Sequence, residues 1–444
     1  MNAQPSERQW FEDIVEHNHS IMPDMNLPWL NETRDAAKHA IASIALPNRK
    51  QEAWRYSDLA RLYKQTYQLQ DVAVSTLDDG DIETWVYSDQ QSHRLVFANG
   101  CFVPGMSSTH ALPDNIIIGS LRELLSTNPE RVSRWLLADA WYTPDVFTKL
   151  NHALIHDGLV IHVPENTQID KPIEVVYINT ANQHNALVQP RSLVILEAGA
   201  RAKLVERYTG SGESVYFFNG TTDIFLGANT HFQHYRLQNE SSSAHHLSHV
   251  SLRQDTASEY RGVNVSTGGA WSRTDINTRF DGEHASCELD GLYTVGEQQY
   301  TDFHLNVQHS LAHCRSREDF KGIVYGKGRA VFDGNIQVER DAQKTDAHLS
   351  NNNLLLVENA EVDTKPQLVI HADDVKCSHG TTVGRLDPDQ LFYLRSRGID
   401  EHEARKMICL GFAEQVLSHV EDENVHSFFQ ERIADIFNRR EVLI

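Results

Sequence analysis

A thiol and an imidazole two residues apart, Cys377 and His379 in the run ADDVKCSHGTTVGR, are the residues of this chain best suited to hold a transition metal. Thiolate and imidazole both suit iron. Two apart on a strand they would share a face; in a turn they need not. Asp373-Asp374 reads as a strand break, and Gly380 and Gly384 allow tight turns. The pair is therefore expected on a Gly-flanked turn. From the residues alone, a buried small thiol beside a histidine bonded to backbone is favoured over a ligand pair. His304, His309, His313 and Cys314 form a second group of ligand types. An odd number separates His304 from His309, so one straight strand would put them on opposite sides. They read as surface or rung histidines. His245, His246 and His249 lie among serines and read as a polar loop.

Other chemistries find little support. The run GIVYGKG, Gly322 to Gly328, is one residue short of a phosphate loop and no Ser or Thr follows its lysine. No Gly-x-Ser-x-Gly is present. The chain is therefore read as having no catalytic residues. The net charge of −21 and a pI near 5.5 argue against nucleic acid or an anionic membrane as partner. The first residues, MNAQPSERQWFEDIVEH, lack the basic start and apolar core of a signal peptide. No apolar run approaches the roughly 20 residues of a membrane span. A cytoplasmic protein is expected. Its five cysteines, at 101, 287, 314, 377 and 409, then read as free thiols. With no CxxC, the isolated chain has no local thiolate set for a stable cluster.

Three regions must position these residues. Residues 1–145 read as helix-rich with a short β segment. A helix is expected from Glu32 to Leu46, ended by Pro47, and a basic-aromatic helix from Arg49 to Leu62. Arg94 to Val103 is strand-like around an Asn99-Gly100 turn, and Leu121 to Leu137 is helical in two pieces around Pro129. Residues 146–385 carry short alternating segments bounded by Gly, Asn, Asp or Pro, such as Leu159 to Val163, Ser192 to Leu196 and His231 to Leu237. Loosely recurring turns such as Glu197-Ala198-Gly199 and Gly326-Lys327-Gly328 suit an irregular solenoid, though periodicity alone does not choose it over a sandwich. Residues 386–444 are helical again. Asp387-Pro388 starts one helix, Asp400 to Glu403 caps a second, and Phe428, Phe429, Ile433 and Ile436 line a third. This tail has apolar surface to cap the solenoid end or to dock a partner.

The segments KPQL, ADDVKCSHG, TVGRLD and LFYLRSRGI closely resemble the SufD branch of the SufB/SufD family, scaffold subunits of the SUF iron–sulfur cluster assembly system. Further matching runs are RKQEAWRYSDL from Arg49, GRAVFDG from Gly328, QKTDA from Gln343 and Asn351 to Leu356. The resemblance implies a mainly β fold, a right-handed parallel β-helix between two helical ends. It implies a non-catalytic scaffold that pairs with SufB through the β-helix, in an assembly of one SufB, one SufD and two copies of the ATPase SufC. By the same resemblance His379, and more weakly Cys377, meets a transient Fe–S cluster shared with SufB. The SufC surface is expected on the tail, at Asp387, Leu391, Phe392, Tyr393, Arg395 and Arg397 and further on at Met407 and Phe412. Alone, the chain could form a homodimer. Rival readings are a SufB-like sulfur-accepting scaffold, disfavoured by so few cysteines, and a β-helical carbohydrate-active enzyme.

Overall fold

From Leu159 to Arg385 strands alternate between two stacks, and between the two end coils each pairs in parallel with the strands one coil before and one coil after it. Trp271–Phe280, for example, lies between His245–Gln254 and Tyr300–His309, while the intervening Ser286–Val295 belongs to the other stack. The fold is a mainly β parallel solenoid flanked by helices, as expected. The computed structural model describes residues 6–439 apart from 20–21, 23–25, 71–85, 89, 111, 114, 139, 180–184 and 211–212.

Parallel pairing without slippage stacks equivalent positions, so one apolar column serves many coils. Val307, Ile336 and Leu368 form such a column. Each aliphatic side chain buried there contributes roughly 1.5–3 kcal/mol. Neighbouring coils also interlock by size. Tyr293 stands over Gly322, and Phe320 over Gly291. A Cβ on Gly291 would lie 2.1 Å from the Phe320 ring, and one on Gly322 2.1 Å from the Tyr293 ring. The glycines thus make room for the aromatic rings of the core.

One of the two corners follows a rule that the sequence hides. Asn166, Gly199, Asn229, Ala257, His284, His313 and Lys344 each take a left-handed conformation, one per coil. For the non-glycine residues that conformation costs about 1–2 kcal/mol. A backbone ladder offsets it: Asn229 N–H donates to Thr256 O, Ala257 N–H to Glu283 O, and His313 N–H to Gln343 O, all at 2.9 Å. Because the backbone requirement is met by five residue types, the recurrence looks loose in the letters.

The helices lie along the flanks. Helices α1 (Glu7–His19), α2 (Pro28–Ile41), α3 (Leu121–Thr127), α4 (Glu130–Leu136) and α5 (Val146–Ala153) precede the solenoid. Phe11, Phe147 and Leu150 pack on Leu187, Phe217, Leu247 and Trp271 of the first stack. The expected helix at 49–62 is replaced by two short 3-10 turns, Glu52–Trp54 and Leu62–Lys64. This segment is a strap laid on the sheet: the Arg273 guanidinium sits 3.9 Å over the Trp54 ring, and Ser57 Oγ donates to Asp302. Such long-range anchoring outweighs local helix preference.

The tail forms α6 (Pro388–Ser396), α7 (Glu401–Leu417) and α8 (Glu423–Phe437). Asp387 caps α6 by accepting from Asp389 N–H, with Pro388 at the first helical position, as expected. Helices α7 and α8 do not cap the solenoid end. Ala413, Val416, Phe428, Phe429 and Ile433 instead cover Val205, Leu237, Val263, Leu292 and Ile323 on the flank of the second stack. The two ends of the solenoid therefore differ. The first coil is closed by antiparallel strands, Cys101–Phe102 and Ile117–Ser120. The last, Glu361–Ile370 with Lys376–Arg385, has no described strand on its outer edge.

Candidate functional site

Cys377 and His379 both lie on the terminal strand Lys376–Arg385, not on a turn. Gly380 and Gly384 are extended strand residues, absent from the glycines with positive φ. The turn falls earlier, at 371–375, where Lys344 N–H donates to Asp374 O and its ammonium meets the Asp374 carboxylate. On a strand the two ligand candidates share a row. Cys377 pairs in register with Ala347, and His379 with Leu349, both members of the interior core. The row that would be inside the solenoid is thus uncovered at its last coil. His379 is exposed and Cys377 half-buried against the core. Burial pushes the Cys377 thiol above its usual range, and the nearby Asp346 and Glu318 carboxylates add to this. The isolated chain therefore presents a neutral thiol and an accessible imidazole.

The edge itself is rich in exposed hydrogen-bonding and apolar groups. Thr364 and Thr381 hydroxyls meet at 3.0 Å across the two stacks, and Thr382 donates to Asn352 at 2.7 Å. Ile370 and Val383 are 40% and 48% exposed. An uncovered strand edge of ten residues is a template for pairing with another chain. Pro366 was the available signal, since proline within a strand is confined to edges.

Beneath His379 and Leu349 the same column holds Glu318, which is fully buried with neither oxygen in a normal hydrogen bond. Desolvation pushes its carboxyl up to about 8. Glu206, also interior, goes the other way. Burial raises it, but bonds and charges from His234 and Arg236 prevail and hold it at about 2. A stability test follows. The unfolded Glu318 carboxyl ionises near pH 4.3, the folded one near 8, so folding stability falls as pH rises between them. Glu318→Gln removes that loss. Relative to the parent, the variant should gain on the order of a few kcal/mol between pH 4.5 and 8. Urea midpoints at both pH values check it; a difference that ignores pH would refute the neutral carboxyl.

The other histidine groups disperse. His304 faces out and lies 2.8 Å from the Asp302 carboxylate. His309 is interior, bonded to Ser316 Oγ at 2.9 Å, and burial pushes it down to about 3. His313 stacks on His284 in the corner ladder, and Cys314 is buried with its thiol pushed up to about 11 by burial. His245, His246 and His249 are not a loop: they are buried on the strand His245–Gln254. His246 Nδ1 lies 2.7 Å from the Glu240 carboxylate, and the ring stacks on Phe218. Alternation with serine is the strand signal that a loop reading misses. None of the five cysteines is in a disulfide.

The tail residues divide. No residue of α6 is buried, and Phe392 and Tyr393 are 74% and 57% exposed. Arg397 lies over the Tyr393 ring, Arg395 pairs with Glu401 at 3.5 Å, and Leu391 is half-buried. Met407 on α7 is exposed. Phe412 instead packs toward the second stack beneath the Lys321 ammonium. Among the described residues no helix is long and apolar enough to cross a membrane.

Two family descriptions match this chain: the SufBD protein N-terminal region over residues 5–175, and the SufBD core domain of SUF system FeS cluster assembly over 177–412. Similar whole proteins include the iron–sulfur cluster assembly protein SufD of Escherichia coli, 34% identical over 88% of this chain and 89% of that protein. An iron–sulfur cluster assembly SufBD family protein of Synechocystis is 32% identical over 87% and 86%. Protein ABCI7, chloroplastic, of Arabidopsis thaliana is 31% identical over 91% and 85%.

Proposed function

The chain belongs to the SufBD family of iron–sulfur cluster assembly proteins, SufD type, and from that premise we propose that it is a non-catalytic scaffold working between two partners in the cytoplasm. The observation that carries the reading is the open last coil, where an unpaired strand edge and the row of Cys377 and His379 reach the surface together. SufB pairs with this edge and supplies thiolates. His379 completes the site with an imidazole nitrogen while the cluster is built, and the cluster leaves as cargo. SufC docks on the exposed aromatic residues of α6 and supplies ATP-driven movement. In isolation the same edge joins a second copy of the chain, which SufB displaces.

Anaerobic reconstitution tests this. The chain alone, with SufB, and with SufB and SufC is given ferrous iron and sulfide, and bound iron and sulfide are counted after gel filtration. Cluster is expected only where SufB is present, and ATP hydrolysis only where SufC is. A stoichiometric cluster or ATPase activity on the purified chain alone overturns the reading, as does failure to co-purify with SufB.

A further inference from the structure

Away from the last coil, a groove of about 890 Å³ runs over the outer face of the first stack, between the strap at 44–54 and the loop at 141–145. At one end Asp145, His249 and Asp275 bring one ligand atom each within 4.8 Å of one another. His249 and Asp275 are register partners on adjacent strands, and Asp145 is the N-cap of α5. Three separate elements therefore converge on one point.

The His249 imidazole is 5% exposed, and its Nε2 makes no hydrogen bond. That nitrogen lies 3.5 Å from the Asp145 carboxylate, and Nδ1 lies 3.3 Å from Asp275. These separations exceed the normal range for a nitrogen–oxygen hydrogen bond. A buried polar group left this way costs about 1–3 kcal/mol unless something else satisfies it. The carboxylates, by contrast, are each held from behind. Asp145 accepts from Thr148 N–H at 2.8 Å and Thr148 Oγ1 at 3.1 Å. Asp275 accepts from Arg273 Nε at 2.9 Å. Groups that orient a carboxylate while leaving lone pairs free are what a metal site requires around its ligands.

The charge balance permits a cation. Arg273 also reaches Asp302, at 3.3 Å, so one guanidinium is shared by Asp275 and Asp302 and is also acted on by the Asp145 charge. The groove supplies an entry path and room for water ligands. Two carboxylates with one imidazole suit manganese, iron or zinc better than magnesium or calcium, which prefer oxygen alone. We propose that Asp145, His249 and Asp275 form a site for one first-row divalent metal ion. The ion ties α5 to the sheet and is separate from the Cys377–His379 row, which lies on the last strand of the second stack.

The test titrates the full chain with Mn2+ and follows loss of the free-ion electron paramagnetic resonance signal. One ion per chain is expected, still bound in His379→Ala and in tenfold excess Mg2+. Asp145→Asn keeps a capping side chain on α5 but removes the anionic ligand, so it should weaken binding about 100-fold with the fold retained. His249→Ala should do at least as much. The proposal falls if no ion binds at millimolar Mn2+, if Asp145→Asn binds normally, or if Mg2+ displaces the ion as an undifferentiated acidic surface would allow.

Discussion

Complexes carrying His379→Ala should assemble with SufB and SufC in normal stoichiometry and yet hold about tenfold less iron and sulfide, or none. The two halves of this outcome have separate causes. On the proposed reading, assembly through the strand edge uses backbone groups and the rows beside His379. The alanine variant keeps all the backbone pairing of Lys376–Arg385 with Asp346–Leu355. His379 is exposed, so its removal opens no cavity and should change stability by no more than about 0.5 kcal/mol. Cluster building, on the proposed reading, loses an imidazole that no neighbour replaces: His348 faces the other side of the sheet and is committed to Ser378 and Asp346. Cys377→Ser makes the contrast. Its thiol is half-buried against the core and held neutral, so serine should lower cluster yield less than twofold while costing about 1 kcal/mol in stability. Iron content of both complexes, isolated in parallel, decides between ligand and interface. Normal iron in His379→Ala makes the histidine structural; failure to assemble makes it an interface residue.

Much of this arrangement was legible in the letters, and the exceptions have definite causes. Helix starts were readable where chemistry is local. Asp387 and Asp400 accept from the N–H groups of Asp389 and Glu403, and such caps depend on residues within four positions. The strands from Leu159 onward were readable because alternation survives even in a buried solenoid. The site was harder. Gly380 and Gly384 imply turns locally, but in the last coil they are strand residues with nothing within 4 Å of an added Cβ. They mark an open edge, which is a property of what lies outside the strand and not of the strand itself. The corner ladder was hidden for a related reason. Ala257, His313 and Lys344 hold a conformation that their own side chains disfavour, because the coil next door bonds their N–H groups. The flank packing of α7 and α8 was also invisible. Helical spacing puts Ala404, Met407, Ile408 and Gly411 on one face, but of these only Ala404 is buried; the others covered are Cys409, Ala413, Val416 and Leu417, selected by the shape of the second stack.

That flank packing changes what a tail experiment should show. Removing everything from Asp387 onward would uncover Val205, Leu237, Val263, Leu292 and Ile323 together, an apolar patch that should drive aggregation. Loss of SufC binding by such a truncation would say nothing about docking. Helix α6 is the informative element, since it buries no residue of its own and contributes little to the fold. Phe392→Ala with Tyr393→Ala should leave the melting temperature within about 2 °C of the parent, because neither ring is buried in the chain. At an interface each truncated aromatic anchor costs about 2 kcal/mol or more. Together they should weaken SufC binding roughly a thousandfold, enough to abolish co-purification. Phe412→Ala should behave in the opposite way. It removes a half-buried ring packed on the second stack and under Lys321, so it should lower stability by about 1–2 kcal/mol and spare docking in the folded fraction. Melting curves and SufC pull-down on the two variants separate the roles. If the double α6 variant still captures SufC at parental levels, the docking surface lies elsewhere on the chain, and the exposure of Phe392 and Tyr393 has another cause.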